Sequence, residues 1–263
     1  MMRKSVFLVF MLGAVLLAGC GAMTKNQVSL DKNTEEAEEQ STSGGKDLLD
    51  PEVRGVLSSL DSDYSKVRWG VEYSPLEEYP GIVVSIAPYY TDPYHYLVVG
   101  VTNLHPFEVI FSGFMEAYAK DDTVVGSGIV ANEHIGSGQT IASLVYCGKD
   151  AAPDGRIHWR DISISPANET LYSSFKADWA VSPDPGGMSA RATIAIAYLD
   201  GRDPVLKRVT ALILDESGNI ISGSYETVDK IEPQEGTLYF PMDFYLTKGD
   251  MKYAADMCIF PEL

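Results

Sequence analysis

The sequence is poor in residues that several functional classes require. Its 263 residues include 20 Lys and Arg against 37 Asp and Glu, which gives a net charge of −17. A nucleic-acid-binding protein needs a basic face to neutralise phosphates, so this balance argues against that class. The 3 cysteines and 4 histidines are too few for a Cys-rich zinc module or a small domain stabilised by several disulfides. The 45% of hydrophobic residues nevertheless predicts that most of the chain folds.

The sequence also lacks the spacings of common catalytic sites. No Gly-x-Ser-x-Gly, His-Glu-x-x-His or glycine-rich phosphate loop before a helix occurs. Glycines flank Ser127 and Ser137, but both serines are predicted to lie in β-turns, which account for the glycines at 126, 128, 136 and 138. We therefore expect no catalytic residues, no cofactor and no enzymatic activity.

The histidines fit no known ligand spacing, so we predict structural roles for them and no metal site. They are His95, His105, His134 and His158. One alternative stays open: a hydrolase or a metal-binding enzyme accessory, with a site around the first three of these histidines.

The N-terminus has the layout of a secretory signal. Arg3 and Lys4 precede a small and apolar run at residues 6–19, which is short for a membrane span. The run ends in Leu17-Ala18-Gly19-Cys20, which resembles the lipobox of bacterial lipoproteins. The resemblance implies that residues 1–19 are removed and that Cys20 carries a diacylglycerol and often a further acyl chain such as palmitate. Two or three chains would hold the protein on the extracytoplasmic face of a membrane.

The next two segments differ sharply in composition. Residues 20–46 are acidic and contain few apolar residues towards their end, which predicts a disordered tether. Residues 47–65 form the lead-in to the fold. A short helix is predicted there because Asp50 and Pro51 suit a helix start and an apolar stripe follows. The stripe consists of Val53, Val56, Leu57 and Leu60.

Beyond residue 65 the chain shows short strands separated by turns. Four segments recur in the same order at an offset near 96, which predicts two tandem copies at residues 66–170 and 171–263. The matches are 97–101 with 193–197, 118–125 with 214–221, 135–139 with 231–235 and, after one residue of slippage, 161–166 with 256–261. Each copy has the length of an immunoglobulin-like β-sandwich and its regular spacing of short strands and turns.

The hairpin turns of the two copies carry a family resemblance. Residues 215–219 are predicted to form a turn in which Gly218 has a positive φ. This region resembles the FxLYD-type modules of bacterial surface lipoproteins, in Met115-x-Ala117-Tyr118-Ala119 and in Ala211-x-Ile213-Leu214-Asp215. The resemblance implies a β-sandwich fold and brings no catalytic residues.

The cysteines that remain after lipidation are predicted to be buried free thiols. Cys147 and Cys258 fall in different copies, so neither copy can close an internal disulfide. A bridge between copies would require their α-carbons to lie within about 7 Å.

Four tyrosines crowd one short stretch and are the candidate ligand contacts. They are Tyr89, Tyr90, Tyr94 and Tyr96. Tyrosine combines flat apolar area with a polar tip, which suits a neutral glycan or a protein partner. The alternative is that these rings cover a sheet edge or the junction between the copies.

These observations predict an all-β, membrane-anchored cell-surface lipoprotein that acts as a non-catalytic binding or assembly module. Its partners are the membrane, through the lipid on Cys20, and a protein or neutral glycan; nucleic acid is not expected. A purely structural stalk is the remaining alternative, in which case changes to the tyrosines would alter stability only.

Overall fold

The computed structural model describes residues 63–150, 152–183, 189–246 and 248–263. The predicted signal peptide, Cys20, the tether and the helix predicted near residues 51–60 lie outside them. Within them the protein is all-β, as the sequence predicts. No helix in this part of the chain is long and apolar enough to cross a lipid bilayer.

The described residues form thirteen strands, one 3₁₀ helix (η1) and one short α-helix (α1). In strands such as β4, buried and half-buried side chains alternate, because successive residues point to opposite faces of a sheet. The elements are η1 Tyr64–Lys66, β1 Val71–Leu76, β2 Tyr79–Thr91, β3 Tyr94–Asn103, β4 Val109–Tyr118, β5 Val124–Ile135, β6 Thr140–Gly148, β7 Ile157–Pro166, β8 Phe175–Pro183, β9 Ser189–Tyr198, β10 Arg208–Leu214, β11 Ile220–Thr227, β12 Thr237–Tyr245, α1 Lys248–Met251 and β13 Asp256–Glu262.

The first half of the fold is a sandwich of two antiparallel sheets. Sheet A has the strand order β1-β2-β3-β6, and sheet B has the order β5-β4-β7. Their facing sides share one apolar core, to which sheet A contributes Ile82, Leu97 and Ile141 and sheet B contributes Phe111 and Val130. We call this unit sandwich one.

The second half repeats this strand order. Sheet C has the order β12-β9-β8 and sheet D has the order β11-β10-β13, so they correspond to β6-β3-β2 and β5-β4-β7. Their shared core contains Ile194, Ile196 and Phe240 from sheet C and Val209 and Ile259 from sheet D. We call this unit sandwich two.

The two sandwiches pack face to face through a third apolar layer. Its members include Ala87 and Val98 on the outer face of sheet A and Leu212 and Phe260 on the outer face of sheet D. The lead-in to β1 adds to this layer. Trp69 stacks on Tyr64 with ring centroids 5.1 Å apart and donates a hydrogen bond from Nε1 to the Tyr64 carbonyl oxygen at 3.1 Å.

Burial on both faces explains the apolar runs in sheet A. β2 is buried continuously over residues 82–87 and β3 over residues 97–103. A half-solvated strand alternates apolar and polar residues, whereas a strand covered on both sides does not. These runs are therefore the sequence signature of the junction between the sandwiches.

Two predictions made from the sequence are wrong, one on a turn and one on the alignment of the two copies. Ser127 and its neighbouring glycines lie inside strand β5, not in a turn. The glycines are needed because β5 passes close to β6: a Cβ on Gly126 would come within 2.7 Å of the Tyr146 carbonyl oxygen. The match of residues 97–101 with 193–197 is also one residue out of register, because the core-facing Leu97 and Val99 correspond to Ile194 and Ile196.

The turn predicted at residues 215–219 is confirmed. Gly218 has φ +79°, and the Asp215 carboxylate accepts hydrogen bonds from the backbone N–H groups of Ser217 and Asn219. The turn also contacts the lead-in, since the Arg68 N–H donates to the Gly218 carbonyl oxygen at 2.8 Å.

Candidate functional site

The four predicted tyrosines lie on the β2–β3 hairpin but not on one face. Tyr89, Tyr94 and Tyr96 are on the outer face of sheet A, which meets sandwich two, and Tyr90 is on the opposite face beside His95. The hairpin is held against sandwich two by the Thr91 hydroxyl, which donates to the Ile221 carbonyl oxygen at 3.3 Å.

Tyr89 belongs to the junction core. Its ring is 7% exposed and stacks on Tyr96 with centroids 5.0 Å apart and planes 11° apart. Burial raises the pKa of the Tyr89 phenol. A ligand in solvent has little access to this side chain, so its position matches the junction-covering alternative.

Tyr146 joins the cluster from strand β6. It pairs with Tyr96 across the β3–β6 ladder, and its ring meets those of Tyr96 and Tyr94 edge to face, with 5.5 Å between centroids in each case. Tyr146 is 53% exposed and Tyr94 is 38% exposed. We call Tyr94, Tyr96 and Tyr146 the tyrosine platform.

The three rings of the tyrosine platform are not coplanar but form a corner. The Tyr146 ring lies at 61° to Tyr94 and at 63° to Tyr96. Tyr96 is half-buried beneath it, and burial is the main cause that raises the pKa of its phenol. The platform therefore offers apolar ring faces together with phenol hydroxyls.

Tyr90 is exposed on the other side of the hairpin. Its hydroxyl donates to the Asp92 carboxylate at 2.8 Å, and this hydrogen bond is the main cause that raises the pKa of the phenol. Its ring is tilted against His95 with centroids 4.9 Å apart. It does not contribute to the tyrosine platform.

The histidines do not come together. His95 lies at the start of β3 and His105 just beyond its end, so about 30 Å of extended strand separates them. His105 is stacked on Phe107 at 5.1 Å, and burial lowers its pKa. Among the described residues, no group of three or more His, Cys, Asp or Glu side chains is placed to hold a metal ion.

His134 has a defined polar partner at the linker between the sandwiches. Its Nδ1 lies 2.7 Å from Oε1 of the buried Glu108 carboxylate. The same carboxylate accepts hydrogen bonds from the backbone N–H groups of Leu171 and Tyr172. Glu108 thus fixes the start of the second half of the chain to the first.

A second buried carboxylate lies near the C-terminus. Glu262 is fully buried and accepts a hydrogen bond from the Arg208 Nε at 2.8 Å. Burial raises the pKa of Glu262 to about 7. Glu133 of sandwich one is close enough to add to this effect, and burial raises its own pKa as well.

The two cysteines within the described residues are buried. Cys147 belongs to the core of sandwich one, and burial raises the pKa of its thiol to about 11. Cys258 lies in the junction layer, where its thiol donates to the Asp63 carbonyl oxygen at 3.3 Å. The environment of Cys147 therefore does not favour a reactive thiolate.

Comparison with known proteins adds no family assignment. No protein-family model matches the chain, and no curated protein matches it. Among solved structures, the exo-chitosanase CsxA of Amycolatopsis orientalis superposes with a TM-score of 0.22 and 14% identity over 67% of this chain. The match spans 25% of the length of that enzyme.

Proposed function

We propose that this chain is an extracytoplasmic lipoprotein, anchored through lipid on Cys20, and that its two sandwiches act as a non-catalytic module that binds a neutral glycan. The observation that carries the proposal is the tyrosine platform, an exposed aromatic corner on a rigid junction. Single exposed aromatic side chains are common on protein surfaces, whereas a contiguous cluster of them is typical of recognition surfaces.

The geometry favours a sugar ring as the ligand. A pyranose ring has apolar C–H faces and polar edges, so it can stack on one phenol ring while its hydroxyls bond to a neighbouring phenol oxygen. The corner between Tyr146 and Tyr94 provides both kinds of contact. The net charge of −17 repels anionic polymers at low salt and thus supports a neutral ligand.

The binding proposal is tested with a panel of neutral glycans and the full chain. The double variant Tyr94→Ala/Tyr146→Ala is expected to lose at least tenfold in affinity while its melting temperature stays within a few degrees. Tyr239→Ala is the matched control, because Tyr239 is 50% exposed on sheet C, away from the platform. Equal binding by the double variant, or no binding of any glycan by the unaltered chain, would contradict the proposal.

The anchoring proposal is tested separately in the producing cell. Cys20→Ser is expected to abolish incorporation of labelled palmitate and to release the protein from the membrane fraction. Cys147→Ala serves as the control because that cysteine is buried in sandwich one. Continued labelling of the Cys20→Ser variant would contradict lipidation at this residue.

A further inference from the structure

Among the described strands, sheet B has none in the position of the last strand of an immunoglobulin-type sandwich. Its order β5-β4-β7 corresponds to strands C′-C-F of an immunoglobulin-type sandwich, and β2-β3-β6 corresponds to A-B-E. In that architecture strand G follows F and pairs with its outer edge. Among the described strands β7 pairs only with β4, so its other edge is unpaired.

An open groove lies where the missing strand would run. It has a volume of about 900 Å³ and separates β7 from β1, the edge strand of sheet A. Its floor is formed by apolar side chains that also border the core of sandwich one. They are Leu76, Val84, Ile86, Ile157, Trp159 and Ile162.

Trp159 is held in place within this floor. Its ring meets Phe111 edge to face at 5.6 Å between centroids. Gly113 provides the space for it, since a Cβ there would come within 2.8 Å of Trp159 Cε3. The floor of the groove therefore includes an aromatic ring in a fixed position.

In sandwich two, the strand edge that corresponds to the free edge of β7 is contacted by another part of the chain. β13 corresponds to β7, and the Ile259 N–H of β13 donates to the Asp63 carboxylate at 2.9 Å. The Asp63 carbonyl oxygen accepts from the Cys258 thiol as well. The lead-in of the chain thus occupies part of the β13 edge, at Ile259.

The charges around the groove indicate the partner's chemistry. Arg156 is engaged by Asp154 and Asp122, and Arg160 by Glu116. The acidic residues on the rim, by contrast, have no ion pair among the described residues. They are Glu77, Glu78 and Asp161.

We propose that this groove binds an extended peptide segment of a partner protein, added as a strand along the free edge of β7. Main-chain hydrogen bonds to a sheet edge supply affinity in such complexes, and alternate side chains supply specificity. Every second side chain of the peptide is apolar and enters the groove, and a flanking Lys or Arg meets Glu77 and Glu78. The bulge at Asp161, with φ +54°, ends the regular edge and limits the pairing to a short peptide. This site is separate from the tyrosine platform and does not depend on it.

The test is a selection of random 12-residue peptides against the full chain, followed by binding of one selected, fluorescein-labelled peptide. We expect enrichment of sequences that alternate apolar residues and carry Lys or Arg at one end. Glu77→Lys/Glu78→Lys is expected to weaken binding of the labelled peptide at least tenfold. The control Glu226→Lys/Asp229→Lys makes the same charge change on exposed residues of sandwich two and is expected to stay within twofold.

Hydrogen exchange locates the bound peptide. The peptide is expected to slow exchange of those backbone amides within residues 157–160 that point to the free edge, which alternate with the amides bonded to β4. Failure to enrich any peptide, equal binding by both double variants, or protection confined to other strands would overturn the proposal. Slow exchange of these amides in the peptide-free full chain would also overturn it, because the chain itself would then cover the edge.

Discussion

Gly218 and Lys66 are in contact across the junction: a Cβ on Gly218 would come within 2.5 Å of the Lys66 carbonyl oxygen. The hairpin turn of sandwich two therefore fits the lead-in only where a side chain is absent. Its backbone conformation adds a second requirement for glycine, since φ is +79°. Two independent constraints act on one residue.

The first prediction concerns this turn. Gly218→Ala is expected to lower the free energy of unfolding by about 2–4 kcal/mol, because strain at positive φ and the clash with Lys66 add. Gly201→Ala is the matched control: Gly201 also has φ +79° but has no atom within 4 Å of its Cβ position. It should lose only about 1–2 kcal/mol in urea denaturation. Equal losses of unfolding free energy in the two variants would show that the contact between Gly218 and Lys66 does not affect stability.

The second prediction separates the tyrosines. Tyr89→Ala is expected to lower the free energy of unfolding by about 3–5 kcal/mol, since it opens a cavity in the junction layer. Tyr94→Ala is expected to change stability by less than about 1 kcal/mol because that ring is partly solvated. Chemical denaturation of both single variants measures the difference. A small loss of unfolding free energy in the Tyr89→Ala variant would contradict the assignment of this ring to the junction.

The third prediction concerns pH. In the folded protein Glu262 has a pKa of about 7, above its ordinary value of 4.5. The folded state therefore keeps a proton that the unfolded chain has lost, and the stability contributed by Glu262 falls as pH rises from about 4.5 to about 7. Glu262→Gln is expected to flatten this part of the profile of unfolding free energy against pH.

The control for the pH profile is Glu226→Gln, which changes an exposed glutamate near the same strands. It should leave the slope unchanged. The raised pKa of Glu133 gives a slope of the same sign, so a residual dependence is expected in the Glu262→Gln variant. An unaltered slope in that variant would contradict the assignment to Glu262.

The fourth prediction concerns Glu108. Glu108→Gln is expected to lower the free energy of unfolding by about 2–3 kcal/mol, because it removes a charge that accepts two backbone hydrogen bonds in a buried site. Glu116→Gln breaks an exposed pair with Arg160 and is expected to cost less than about 1 kcal/mol. Urea denaturation compares the two. A small effect at Glu108 would mean that the linker is held by other contacts.

Much of the architecture was predictable from the sequence, because turns and alternating apolar residues are local signals. The turn at Gly218 and the all-β class are examples. The alignment of Leu97 with Thr193 failed for a physical reason. Residues 97–101 are buried on both faces, so the sequence does not show which side chains face which core.

The candidate sites depend on contacts between distant residues. Tyr146 comes from β6, about fifty residues beyond the tyrosine cluster, and joins it only through the β3–β6 register. Burial of Tyr89 follows from the packing of sheet A on sheet D. The groove beside β7 arises because none of the described strands pairs with that edge of sheet B, and no sequence motif reveals this.

The packing of sheet A on sheet D joins faces that are not equivalent in the two sandwiches. Such a head-to-tail contact has no symmetry that closes it, so the contact itself does not limit the number of sandwiches in a stack. The two outermost faces each carry an ion pair, which opposes such growth. Arg160 and Glu116 pair on the outside of sheet B, and Arg191 and Asp243 pair on the outside of sheet C. Charged end faces of this kind keep a stack of repeats soluble and finite in length.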